Sequence, residues 1–215
     1  VKFVGLLVMF AWCTVWGVAS LARPQGVRAR VSGALHLLMS VVMLLMVWTG
    51  TWRPLVSVVP MPVLVGVFAL ATAWFAVWAL RDQGVGWLAR WGHTIMFGAM
   101  TWHLIAMGIK RSHMSGAGSG DMAAWMVEAS RPGGALWVVG LIGIPFMVYL
   151  LVAGVLDVRR ALVPAAAASG CHGERPGTRA YRASALADAA MNLGMFWMST
   201  GLMTAVAPFM AFLAF

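Results

Sequence analysis

The sequence predicts an all-α integral membrane protein of six transmembrane helices, and three observations carry that expectation. Of the 215 residues, 62% are hydrophobic and only 10% are charged, too few polar side chains to clothe a soluble globule. The apolar residues fall into six runs, each long enough to cross a hydrocarbon core of about 30 Å as a helix. The basic residues gather in the short connections between those runs, so the formal net charge of +9 reads as membrane topology, and no nucleic-acid partner is expected.

The first run, at roughly 3–21, lacks the strongly basic start and small-residue cleavage site of a signal peptide and is read as a helix. The second and third, at roughly 31–49 and 60–80, are followed by Trp and Arg, as is usual at membrane interfaces. Trp48, Trp52, Trp87 and Trp91 are the expected interfacial anchors. The fourth and fifth, at roughly 87–109 and 135–157, flank an outer loop, RSHMSGAGSGDMAAWM. In the fifth, Gly140 and Gly143 allow close helix contact. The sixth covers roughly 187–213, and the whole chain, 1–215, is expected to form one membrane domain.

Arg23, Arg28, Arg30, Arg81, Arg90, Arg159, Arg160, Arg175, Arg179 and Arg182 border the loops after spans one, three and five, against Lys2, Arg53, Lys110, Arg111 and Arg131 on the other side. The positive-inside rule then sets a multi-pass plasma-membrane protein with both termini outside. Cys13 and Cys171, one in a span and one in a loop, exclude a disulfide framework and a four-cysteine zinc site. No phosphate loop, nucleophile elbow or acidic pair for glycoside chemistry is present, and no enzyme is expected.

Spans two, four and six would all run outward, and in that register they share one spacing. Span two carries His36, Met39, Met43 and Met46; span four His93, Met96, Met100 and His103; span six Asp188, Met191, Met195 and Met198. Offsets of 0, 3, 7 and 10 at roughly 100° per residue fall within an arc of about 80° on one helix face. Each striped helix is the second of a hairpin. Three hairpins around a pseudo-threefold axis would stack the stripes in four layers over about 15 Å. Thioether sulfur is neutral and soft, suited to Cu(I) and poorly suited to Mg²⁺ or Ca²⁺. Intramembrane His and Asp are costly and usually functional.

The pairs Met39/Met43, Met96/Met100 and Met191/Met195 resemble the Met-x-x-x-Met of the eukaryotic high-affinity copper transporters, the Ctr family. That resemblance implies stacked methionine layers on an outward-running helix, with external methionines and an internal Cys/His exit. Here the matching positions are His113, Met114, Met122 and Met126 outside and Cys171 with His172 inside. The chain differs in having two helices per unit, and the likeness spans about eleven residues in each of three helices. As a whole the chain also resembles actinobacterial small membrane proteins with His- and Met-bearing helices, which implies no activity.

Three readings of the stripes stay open: soft-metal handling, plain packing with Met as filler, and axial ligation of haem b by His36 and His93, with Arg30 and Arg90 near the propionates. The expected function is Cu(I) binding and inward conduction to a cytoplasmic copper acceptor. The alternative is a copper- or haem-binding accessory subunit or assembly factor of a respiratory membrane complex. Odd-numbered spans lack the stripe and are expected to face lipid. Asn192 is expected to orient Asp188 or fill a polar gap.

Overall fold

The computed structural model describes residues 2–23, 26–81, 86–114, 119–163 and 178–214, and these are helical almost throughout. The elements are α1 (Lys2–Leu21), α2 (Val27–Val47), α3 (Thr49–Val58), α4 (Met61–Arg81), α5 (Trp87–Met114), α6 (Ser119–Ser130), α7 (Ala135–Leu162) and α8 (Arg179–Ser199). Two 3-10 segments, Thr200–Leu202 and Pro208–Phe212, follow. Among the described residues, four helices, α1, α2, α4 and α7, are long and apolar enough to cross a membrane. Helices α5 and α8 have 28 and 21 residues but include Arg90, His93, Lys110 and Arg111 in one and Arg179, Arg182, Asp188 and Asn192 in the other.

The helix ends differ from the hydropathy reading for local reasons. Helix α2 stops at Val47 because Trp48 is extended, at φ −114° and ψ 120°. The Thr51 hydroxyl donates to Leu45 O and Trp48 O, each at 2.8 Å, serving carbonyls that a helix end leaves open. A separate short helix, α3, then begins where span two was expected to continue. Helix α8 starts at Arg179, well before 187, because Thr178 Oγ1 accepts the Tyr181 N–H at 3.1 Å, an N-cap that apolarity does not register. It ends at Ser199, far short of 213. Gly201 and Pro208 follow, and proline has no N–H with which to extend a helix. The expected outer loop is partly helical, with His113 and Met114 closing α5 and Met122 and Met126 on α6. Cys171 and His172 lie outside the described residues.

The chain forms two compact units, Val1–Val58 with Leu150–Met195, and Val59–Tyr149 with Phe196–Phe215. In the first, α1 buries Leu6, Phe10, Cys13 and Ser20, a single face at helical spacing. Phe10 sits where Gly194 of α8 has no side chain: a Cβ there would meet Phe10 Cε1 at 2.6 Å. Helices α1 and α2 are tied by Thr14 Oγ1 donating to Ser40 Oγ at 3.4 Å. Trp52, expected at an interface, is buried on α3, whereas Trp48 and Trp87 are exposed.

In the second unit, α4 and α5 pack through Phe68 and Phe75 against Phe97, with ring centroids 6.1 and 4.9 Å apart. Helix α5 meets α7 at one of the expected glycines, Gly143, whereas Gly140 faces Val206. Trp102 Nε1 donates to Val139 O at 2.9 Å, and its ring occupies the place of a Gly143 side chain. Ala106, Met147 and Met203 complete that core. The apolar stretch of α2 is 44% buried, against 22% in α1, 28% in α4 and 33% in α7. The striped helix of the first hairpin is therefore more interior than its unstriped partner.

Candidate metal site

Helical spacing fixes where the stripes lie, and burial shows which way they face. His36, Met39, Met43 and Met46 are buried on α2, Met96, Met100 and His103 on α5, and Asp188, Met191 and Met195 on α8. Only His93 and Met198 are half-buried. Ten of the twelve thus point into protein, where Met39, Met43, Met100 and Met195 are each 0% exposed.

In the first unit, His36 of α2 and Asp188 and Met191 of α8 line one small cavity, joined by Cys13, Trp16, Gly17 and Ser20 of α1. Its volume is about 20 Å³, room for a single water molecule or ion. His36 Nδ1 lies 2.7 Å from Ser32 O. A backbone carbonyl only accepts, so the neutral ring carries its proton on Nδ1 and its lone pair on Nε2. Hydrogen bonds of this kind set the tautomer of metal-ligating histidines. Cys13 Sγ donates to Ala187 O across 3.4 Å, next to Asp188 in sequence.

In the second unit, His103 Nδ1 lies 2.9 Å from Ser199 Oγ, and Trp102 stands edge-on to its ring at 6.4 Å. His93 packs against Phe75 with ring centroids 5.1 Å apart. These two histidines are held by different means, a hydroxyl in one case and an aromatic face in the other.

The sequence reading missed two residues. Cys13 served only to exclude a disulfide framework and a four-cysteine zinc site, yet it lies on the buried face of α1. Asp157, the last residue of the fifth run, was not among the candidate residues. It is 6% exposed and accepts from Asn192 Nδ2 at 3.0 Å and from Arg160 Nη1 at 2.9 Å. Asn192 therefore meets Asp157, an acid on an apolar helix whose rarity in such helices would have flagged it. Among the described residues, no three His, Cys, Asp or Glu side chains are grouped to hold a metal ion.

Among the described residues the fold is all-helical, with helices long and apolar enough to cross a membrane and an interior that bears sulfur and imidazole. The chain belongs to the family described as a domain of unknown function, DUF5134, whose model matches residues 28–202. All twelve stripe residues fall within that stretch, and α1 with Cys13 precedes it. No curated protein and no solved structure matches the chain.

Proposed function

We propose that the chain is a Cu(I)-binding protein of the plasma membrane that conducts copper inward along its Met and His stripes. In this reading α1, α2, α4, α5, α7 and α8 all cross the bilayer with both termini outside, and the three hairpins bring their stripes together. The observation that carries it is the shared cavity of His36, Asp188 and Met191, residues of two of the stripes. A buried carboxylate and imidazole are costly in an apolar interior, and thioethers beside them add donors that hold Cu(I) without the deep trap of a hard anionic cage. Met layers pass the ion inward, His36 and His93 take it up at the cytoplasmic end, and Asp188 draws the cation off the thioethers. A membrane potential assists by about 2.3 kcal/mol per charge per 100 mV. Lipid surrounds the helices, and a cytoplasmic copper acceptor receives the ion.

The test has two arms. Purified protein is expected to retain Cu(I) or Ag(I) in preference to Zn(II), and joint replacement of Met39, Met96 and Met191 by Leu to remove most of it, since Leu keeps the volume and loses the donor. Unchanged retention rejects those methionines as ligands, and a Soret band in the purified protein assigns His36 and His93 to haem b instead. Proteoliposomes with an inside-negative potential are expected to take up Cu(I), more slowly with His36→Ala, Asp188→Asn or Met43→Leu. Wild-type uptake equal to empty vesicles rejects conduction and leaves copper storage in an accessory subunit.

A further inference from the structure

The cavity of the first unit holds a side chain that the stripes do not use. Cys13 is 4% exposed and reaches the cavity because Phe10, one turn earlier on α1, seats against Gly194 and draws α1 onto α8. Three residues that carry soft or borderline donors line one space from three helices: Cys13, Met191 and His36. Gly33, one turn before His36, forms part of the wall without a side chain to fill it. Trp16 lines the same cavity, and its Nε1–H is buried with no acceptor among the described residues. Ordinary packing would close such a space with carbon, because an apolar cavity wall costs far less than a polar one.

We propose that Cys13, His36 and Met191 form a three-coordinate site for one Cu(I) ion, and that this site is the tightest station on the copper path. The inference rests on the copper reading above and deepens it. Two sulfurs and one nitrogen suit Cu(I), and the Ser32 bond leaves the His36 lone pair on Nε2. Asp188 is the proton acceptor and not a ligand. As the copper–sulfur bond forms, the S–H bond of Cys13 breaks and its proton passes to the Asp188 carboxylate. Copper enters and remains Cu(I), no electron is transferred, and the loaded cavity is neutral. A thiolate binds more tightly than the neutral thioethers of the other layers, so an ion pauses here.

The test uses the full chain in detergent micelles under reducing, anaerobic conditions, with Cu(I) supplied from a chromophoric chelator that competes for it. Wild type and Cys171→Ser are expected to bind the first equivalent alike, with near-ultraviolet thiolate-to-copper absorption. Cys13→Ser is expected to lose that absorption and at least about tenfold in affinity, equal to about 1.4 kcal/mol. X-ray absorption of the wild-type one-equivalent complex, which needs no variant to fold, is expected to give two sulfur neighbours and one nitrogen. Unchanged affinity in Cys13→Ser, loss of the absorption in Cys171→Ser, or three sulfurs without nitrogen each overturn the Cys13 site while the stripe reading stands. Wild type that binds no Cu(I) overturns both.

Discussion

Replacing Gly143 by Ala tests the packing that holds α5 to α7 and, with it, the setting of His103. The new Cβ would collide with Trp102 Cζ2 and lie 2.7 Å from Cη2 and 2.8 Å from Cε2, where carbon atoms prefer about 3.5–4.0 Å. The indole must therefore retreat by about 1 Å or more. It has little room to do so: Trp102 is 7% exposed, stacks on Phe146 at 6.1 Å and is tethered by its bond to Val139 O. Overpacking costs about 1–3 kcal/mol, and breaking the tether adds about 0.5–1.5 kcal/mol. The expected destabilisation is thus about 1.5–4.5 kcal/mol, read from denaturant unfolding in micelles by tryptophan fluorescence. Gly66→Ala on α4 is the control, because nothing lies within 4 Å of its Cβ position, and no loss is expected. Adding Trp102→Phe to Gly143→Ala should recover part of the loss, since the smaller ring vacates the contested space, and a double-mutant cycle measures that coupling. A Gly143→Ala protein within about 0.5 kcal/mol of wild type refutes the reasoning.

Asn192→Leu removes the donor 3.0 Å from Asp157 and is expected to cost about 1.5–3 kcal/mol, the worth of a hydrogen bond to a charged group; wild-type stability in the same unfolding assay would show that this bond contributes nothing. For topology, a cysteine at Ser115 is expected to react with an impermeant maleimide from outside intact cells, and Cys171 only after permeabilisation, following the Arg and Lys distribution across the loops. The reverse labelling inverts the proposed copper path and removes the exit role of Asp188.

The helical class, the membrane character and the interior stripes were legible because each depends on composition or on spacing along one helix. Offsets of 0, 3, 7 and 10 put His36, Met39, Met43 and Met46 on one face whatever surrounds them, and that face is buried. Gly143 was legible too, since a missing side chain invites a neighbour. Helix ends were less so: Thr51 and Thr178 decide them through single hydrogen bonds, which an average over apolar residues does not weigh. Only the tertiary structure brought Cys13 to His36, Asp188 and Met191, or joined Asn192 to Asp157. In hydrocarbon, apolarity does not say which faces of two helices meet; small residues and hydrogen bonds do. The contact of Phe10 with Gly194 unites residues far apart in the chain, and no periodicity within either helix records it.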